Sequence, residues 1–159
     1  MKLTIAAVGR LKGPERDLEA RYLERVERLG RGLAITPLRC AELAESRARA
    51  VAARKSDEAG GLLAMAGPGD HLIALDESGR SMASRAFADL IRDRRDDGLP
   101  GLTFALGGPD GHGGDLLARA DLRLSLSAMT LAHGLARVVL LEQIYRALTI
   151  IAGHPYHRG

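Results

Sequence analysis

The chain has 159 residues, of which 46% are hydrophobic and 27% are charged, as in a globular domain with a solvated surface. No apolar stretch approaches the roughly 20 residues of a membrane span, and the N-terminus lacks the form of a signal peptide. The lone cysteine, Cys40, excludes an intrachain disulfide. We therefore expect a cytoplasmic protein without membrane contact, folded as a single domain over residues 1–159.

The positive charge is carried almost entirely by arginine. The formal charge is +3 at pH 7, the sequence pI is about 9.4, and the lysines are Lys2, Lys12 and Lys55. Arginine binds phosphate in a bidentate way and stacks on bases, which makes nucleic acid a candidate partner. A general coding bias toward arginine is the simpler explanation of the composition alone. Without tryptophan, and with three tyrosines and two phenylalanines, an aromatic platform for single strands is not expected.

Strands and helices alternate along the chain. The predicted strands are Lys2–Val8 and residues 33–38, 71–75, 102–106 and 122–126. The predicted helices are residues 14–30, 42–66, 87–94, 115–120 and 134–152. Gly30 is predicted to cap the first helix, and Gly60 and Gly61 to interrupt the second. The arginines of the second helix could face a phosphate backbone, although an ordinary solvated face is the better explanation.

This alternation predicts an α/β fold with a mostly parallel sheet flanked by helices. In such sheets ligands bind beyond the carboxyl ends of the strands. Three features converge there: a turn after Leu75, the loop GGPDG after Leu106, and a turn over residues 127–133.

The glycine loop GGPDG occupies residues 107–111 and lets backbone approach a ligand closely, although a plain strand-to-helix turn is an equally good explanation. A dinucleotide fingerprint would place GxGxxG after the first strand, where this chain reads AVGRLKG. The loop also lacks the GK[ST] ending of a P-loop. Classical dehydrogenases and NTPases are therefore disfavoured.

The C-terminal helix is apolar on most sides, which indicates burial against a partner subunit and hence a homodimer. Glu142 and Arg146 form an i,i+4 pair on its polar side. Arg137 falls inside the apolar arc. Its side chain is paired across the dimer, aimed at an anionic ligand, or laid along the core with its head in water.

The chain ends in an unusual tail, His154-Pro155-Tyr156-His157-Arg158-Gly159. Its ring, imidazole and guanidinium suit stacking on a base, moving a proton near neutral pH and holding a phosphate. Packing of a terminal segment against the partner is the alternative. The two tail histidines offer too few ligands for a metal site, so no metal is expected.

Four motifs together resemble the RlmH (YbeA-like) family of SPOUT-class methyltransferases. They are KLxIxAVG at the N-terminus, LGGPDG, LSLSAMTLAHGLARVVLLEQIYRA, and a tail similar to NHPYHR. The resemblance spans nearly the whole chain. It implies a deep trefoil knot at the C-terminal end, an obligate homodimer and S-adenosylmethionine as methyl donor. It also implies N3-methylation of a pseudouridine in the 23S rRNA of the large ribosomal subunit.

The same resemblance implies the site residues. Cofactor binding falls to Leu75, Gly107, Gly108, Ser127, Ala128, Met129, Thr130, Leu131 and Ala132. Catalysis falls to Tyr156, His157 and Arg158, reaching across the dimer, and substrate binding to Arg137 and Arg146. For the N3 proton two alternatives are expected: His157 accepts it, or Arg137 and Arg158 stabilise the resulting anion; His133 is the runner-up base.

This chain departs from the family pattern at two places. It has Gly134 where a proline is expected after His133, and Gly153 where the tail has asparagine.

A different class of function remains open on the sequence, namely a non-catalytic ribosome- or RNA-binding α/β module. Binding of S-adenosylmethionine distinguishes the enzyme from the module. The charge of +3 is too small to hold RNA by electrostatics alone, so either function needs a preformed surface such as the assembled ribosome.

Overall fold

The computed structural model describes residues 1–158; Gly159, the last residue of the predicted tail, lies outside that range. The strands are β1 (Lys2–Val8), β2 (Leu38–Leu43), β3 (His71–Ser81), β4 (Gly101–Leu106) and β5 (Leu122–Ser125). The helices are α1 (Pro14–Gly30), α2 (Val51–Met65), α3 (Ser84–Asp96), α4 (Gly114–Arg119) and α5 (His133–Ala152). Short 3-10 turns occupy Arg31–Leu33 and Pro155–His157.

Within residues 1–158, five strands form one sheet in the order β2-β1-β4-β3-β5, and each neighbouring pair is parallel. The α/β fold with a parallel sheet flanked by helices is therefore confirmed. None of the helices in this part of the chain is long and apolar enough to cross a bilayer.

The central strands are buried on both faces, which explains their nearly continuous apolar sequences. Alternate residues of β1 enter two different cores: Leu3 and Ile5 pack with residues of α1, α3 and α5, whereas Ala6 and Val8 pack with residues of α2 and α4. Because side chains alternate across a strand, a single run of apolar residues supplies both cores. The carboxyl ends of β1, β3 and β4 are thereby held at one edge of the sheet.

The second strand begins later than predicted. The sequence favoured residues 33–38, but β2 starts at Leu38 and ends at Leu43. A 3-10 turn over Arg31–Leu33 carries the chain past α1, and Ala34 then adopts a left-handed conformation with φ 57°. Pro37 lacks an N–H for a sheet hydrogen bond. The predicted helix over residues 42–66 is shortened as a result, and α2 begins only at Val51.

Two glycine predictions, a cap at Gly30 and a break at Gly60 and Gly61, were wrong. Gly30 has φ −64° and is no left-handed cap; a Cβ there would overlap the carbonyl oxygen of Ile35. Gly60 and Gly61 do not interrupt α2, which runs through both. A Cβ on Gly61 would lie 2.5 Å from Cδ2 of Leu43, whereas one on Gly60 would meet open space. Glycine permits close packing at residues 30 and 61.

The third strand is longer than predicted. The turn expected after Leu75 is an irregularity inside β3, where the register against β5 shifts between Leu75 and Arg80. A Cβ on Gly79 would lie 2.7 Å from the backbone carbon of Arg123 in β5, so this glycine allows the two backbones to approach.

The apolar helix α5 is buried largely by its own chain. It packs against α1 and α3, and its fully buried side chains include Leu140, Leu141, Ile144 and Leu148. The apolar character of the helix therefore does not require a partner subunit, which corrects the reasoning from sequence. Leu135, 49% exposed, is the large apolar side chain that α5 leaves most accessible in the described part of the chain. The homodimer itself stays a prediction.

Candidate functional site

A cleft of about 830 Å³ opens at the carboxyl ends of the central strands. It brings together the turn after β1, the irregular part of β3 that begins at Leu75, the glycine loop after β4 and the segment after β5. Of the predicted cofactor residues, it is lined by Leu75, Gly107, Gly108, Ser127, Met129, Thr130 and Leu131. Ala128 and Ala132 belong to the same segment but do not line the cleft. Segments far apart in sequence thus meet where a parallel sheet binds ligands.

The glycine loop lies too close to its neighbours for side chains at its first residues. A Cβ on Gly108 would lie 2.8 Å from Oε1 of Glu58 and 3.1 Å from Cγ1 of Val8. One on Gly107 would lie 3.1 Å from Nδ1 of His112. The loop therefore presents backbone, without side chains, to this part of the cleft.

His112 was missed by the sequence reasoning, although it lines the cleft. Its Nε2 lies 3.0 Å from the carbonyl oxygen of Leu75 and 3.2 Å from that of Ala105. Because carbonyls only accept, Nε2 carries the proton. Burial lowers the pKa of this imidazole, and the two hydrogen bonds offset that effect only in part. His112 is thus a neutral ring that links β3 at Leu75 to the end of β4. Its place in the loop after β4 was the only available signal.

The segment after β5 is shaped by serine hydroxyls. Ser125 Oγ donates to the carbonyl oxygen of Ser127 at 3.0 Å, and the N–H of Met129 donates to Ser127 Oγ at 2.9 Å. Such local bonds favour turns over helix or strand. The side chain of Met129 is left 79% exposed. The turn predicted at residues 127–133 is therefore present up to the start of α5.

His133 stands at the start of α5 and lines the cleft. Its Nε2 is buried and has no hydrogen-bond partner within residues 1–158. A Cβ on Gly9 would lie 3.5 Å from this nitrogen. Burial, and then the charge of Arg137, lower the pKa of the imidazole. His133 is thus a neutral ring with a free nitrogen at the edge of the cleft.

Arg137 is fully buried, and its guanidinium is engaged inside its own chain. Nη1 lies 3.2 Å from Glu19 Oε2 and 2.9 Å from Glu42 Oε2, and Nη2 donates to the carbonyl oxygen of Gly9 at 2.9 Å. The predicted substrate contact by Arg137 was therefore wrong, as were pairing across a dimer and a head in water. Burial acts to raise the pKa of Glu42, but hydrogen bonds from Arg137 and the Leu11 N–H prevail and lower it.

The tail folds back on α5. The Tyr156 hydroxyl donates to Glu142 Oε1 at 3.3 Å, and its ring packs edge-on against Tyr145 with centroids 4.8 Å apart. Arg146 binds Glu142 through Nε at 3.0 Å and Nη2 at 2.6 Å, which confirms the predicted i,i+4 pair. Its guanidinium lies 5.2 Å from the Tyr156 ring centroid. Burial is the largest of several effects that raise the pKa of Tyr156 to about 12.

The structure does not bring the predicted catalytic residues to the cleft of the same protomer. Tyr156 contacts α5 at Glu142, whereas the cleft touches the helix at His133 and Ala136. At 1.5 Å per residue, Ala136 and Glu142 are roughly 9 Å apart along the helix. His157 has a buried Nδ1 without a partner in the described chain, and Arg158 is exposed.

A comparison with protein families decides the assignment. Residues 1–157 match the family model described as "Predicted SPOUT methyltransferase". The chain belongs to the SPOUT methyltransferase family. This match covers every segment that lines the cleft, and it confirms the family resemblance inferred from the motifs.

Full-length relatives of this SPOUT methyltransferase carry the name "Ribosomal RNA large subunit methyltransferase H". The Methylobacterium nodulans protein is 49% identical over 100% of this chain and 99% of its own length. The Rhodopseudomonas palustris (strain BisB5) protein is 50% identical over 100% of both chains. The Methylorubrum extorquens (strain PA1) protein is 52% identical over 100% of this chain and 98% of its own.

A solved structure titled "Crystal Structure of A. aeolicus TrmH/SpoU tRNA modifying enzyme" shares 14% identity with this chain. The superposition covers 95% of this chain and 77% of the solved chain, with a TM-score of 0.45. The likeness is too weak to bear on the fold, which the sheet order and the family match establish.

Proposed function

We propose that this SPOUT methyltransferase uses S-adenosylmethionine to methylate N3 of a pseudouridine in 23S rRNA, acting in the cytoplasm as a homodimer. The support for the RNA substrate is the name shared by relatives at about 50% identity over the full chain. The observation that carries the site is the convergence of three predicted cofactor segments on one cleft. The family's trefoil knot, formed by the segment after β5, belongs to the same proposal.

The cleft fits a nucleoside-sized donor. Its volume of about 830 Å³ is in the range of ligand pockets, and the glycine loop leaves backbone free for close approach. Leu75, Gly107, Gly108 and the turn at residues 127–132 would hold S-adenosylmethionine. When bound, it supplies a methyl group already activated on a sulfonium. The remaining work of the protein is to align the base and to remove its N3 proton.

A base and a cation are needed beside the cleft. The N3 imide is a weak acid, so a neutral imidazole nitrogen has to accept its proton while a guanidinium stabilises the anionic ring. His157 and Arg158 are proposed for these roles, and Arg146 for holding the substrate. Arg137 is not proposed for substrate binding or for stabilising the anion, because its guanidinium is paired with Glu19 and Glu42 inside the chain. His133, with its free Nε2 at the cleft, remains the alternative base.

The position of the tail supports an active site shared between two chains. Tyr156 contacts α5 at Glu142, roughly 9 Å along the helix from Ala136, and the cleft lining does not include Tyr156, His157 or Arg158. The tail therefore does not serve its own cleft in this arrangement. A partner placed with its tail over this cleft would supply His157 and Arg158. In this proposal the homodimer is needed for catalysis, because each cleft is completed by the tail of the other chain.

The proposal is tested by methyl transfer to large ribosomal subunits from a strain that lacks this protein, with mass spectrometry of the digested rRNA. One methyl group should appear on a pseudouridine. Gly108→Ala should lower transfer, because its Cβ would lie 2.8 Å from Glu58 Oε1 and 3.1 Å from Val8 Cγ1, so both side chains would have to shift. Gly114→Ala, whose Cβ meets open space, is the matched control. If the protein bound ribosomes but not S-adenosylmethionine, the proposed methyltransferase function would be refuted. A non-catalytic RNA-binding module would then be favoured.

A further inference from the structure

Helix α2 holds the tip of the glycine loop through an ion pair. Arg54 Nε lies 2.8 Å from Asp110 Oδ2, and Nη2 lies 3.4 Å from Oδ1. This fork-to-fork arrangement fixes orientation as well as distance. Asp110 belongs to the loop and lines the cleft. The sequence had favoured a solvated helix face for the arginines of this region, so the pairing of Arg54 is a departure from that expectation.

The same guanidinium also holds a second part of the cleft rim. Its Nη1 donates to the carbonyl oxygens of Ala48 at 3.1 Å and Arg49 at 2.9 Å. These residues belong to the connection between β2 and α2, in which Glu45 lines the cleft. Arg54 therefore joins two rim segments that are about 60 residues apart in sequence.

The loop rests on α2 at both of its ends. A Cβ on Gly108 would lie 2.8 Å from Oε1 of Glu58, and one on Gly113 would lie 2.7 Å from the carbonyl oxygen of Lys55. Between these two points the tip is a tight turn, in which the N–H of Gly111 donates to the carbonyl oxygen of Gly108 at 3.0 Å. Asp110 is at that tip, where Arg54 takes hold of it.

The ion pair is better suited to setting loop geometry than to stabilising the fold. The side chains are 27% and 24% exposed, and solvent screening keeps the stability contribution of such pairs small. The hydrogen bond from Arg54 is the largest effect that lowers the pKa of Asp110, so both groups stay charged around neutral pH. A persistent, oriented link to a binding loop affects ligand affinity more than unfolding.

We propose that Arg54 is a positioning residue that sets the affinity of the cleft for S-adenosylmethionine without touching it. The inference rests on the proposed function, because it names the same ligand for the same cleft. Lysine cannot replace Arg54, since a single ammonium does not span the Asp110 carboxylate and two carbonyls together.

The test is calorimetry of S-adenosylmethionine binding to full-length Arg54→Gln, Asp110→Asn and the double variant. Each single variant should raise Kd roughly tenfold, the scale of one charge-assisted hydrogen bond. The double variant should be no worse than Arg54→Gln alone, because Arg54→Gln already removes the link to Asp110. KM for the donor should rise with Kd while kcat changes by less than about twofold. Arg47→Gln, on an exposed side chain of the same connection, is the control.

The outcomes separate this inference from the proposed function. If the unaltered protein fails to bind S-adenosylmethionine, the proposed function fails. Faster amide exchange at residues 107–111 in Arg54→Gln, but not in Arg47→Gln, would still support the role of Arg54 in holding the loop; we call its link to Asp110 the latch. If the unaltered protein binds and Asp110→Asn binds equally well, the latch is refuted. Asp110→Asn decides the matter should Arg54→Gln not fold, because it leaves the bonds to Ala48 and Arg49 in place. A fall in kcat with unchanged KM would also overturn it.

Discussion

The guanidinium of Arg137 lies 2.9 Å from the carboxylate of Glu42, with Arg137 fully buried beneath the rim of the cleft. Glu19 is the second carboxylate of this cluster, and the carbonyl oxygen of Gly9 takes another hydrogen bond. The cluster joins α5 and α1 to β2 and to the turn after β1. A buried charge without partners would strongly destabilise the fold, so the carboxylates that pair with Arg137 are needed for stability.

Arg137→Met should destabilise the protein by about 3–5 kcal/mol, because two carboxylates would lose their buried cation. Urea unfolding followed by circular dichroism measures the change. Arg28→Met is the control, since Arg28 pairs with Glu24 on an exposed surface and its loss should hardly matter. Equal losses in the two variants would contradict the account of a buried cluster.

Gly30→Ala should destabilise by about 1–3 kcal/mol, because a methyl group would overlap the carbonyl oxygen of Ile35 and force the backbone apart. Gly32→Ala offers a close comparison, since nothing lies within 4 Å of its Cβ. That variant should be neutral or slightly stabilising through the unfolded chain. The same unfolding measurement serves both, and a neutral Gly30→Ala would show that the close approach is not required.

His112 should make stability fall in mildly acidic solution. Its pKa is lowered from the ordinary 6.5 in the folded state, so its contribution is present above pH 6.5 and is lost as pH falls through the folded value. Urea unfolding at about pH 7.5 and pH 5.5 should show this loss in the unaltered protein. His112→Gln, which keeps a donor but does not titrate there, should lose less over the same interval. Equal losses would mean that His112 is not buried in its neutral form.

Of the three tail residues, we expect His157 and Arg158 to act in catalysis and Tyr156 to hold the tail against α5. His157→Ala and Arg158→Ala should lower kcat, by about 10²-fold or more for the base, without changing the Kd for S-adenosylmethionine. Tyr156→Phe should have a milder effect, because Tyr156 donates to Glu142 and its pKa of about 12 keeps it protonated near neutral pH. Single-turnover methylation and calorimetry measure these quantities. Normal rates in the His157 and Arg158 variants would exclude the tail from catalysis.

Much of the fold was predictable because its signals are local. Lys2–Val8 is mostly apolar, and the helix that starts at Pro14 has apolar residues at helical spacing. The second strand was misplaced because a 3-10 turn and Pro37 delay its pairing with β1. Whether a glycine ends a helix or packs closely against a neighbour depends on that neighbour, which Gly30 and Gly61 illustrate.

The site was predictable only in its backbone segments. The rule for parallel sheets and the motif resemblance together located the segment at Leu75, the glycine loop and the turn after β5. Side-chain pairs were missed because their partners are remote in sequence: Arg54 and Asp110 are 56 residues apart, and Arg137 and Glu19 are 118 apart. An isolated arginine in an apolar helix gives no indication of which carboxylates enclose it.

A shared active site is tested most directly with purified heterodimers. One protomer carries Gly108→Trp, whose ring would occupy the cleft that Gly108 lines, and keeps an intact tail. The other carries His157→Ala and Arg158→Ala, with an intact cleft and a damaged tail. If the tail of one chain serves the cleft of the other, each heterodimer has one complete site and about half the activity of the unaltered dimer. Activity no higher than that of the two inactive parents would contradict an active site built from two chains.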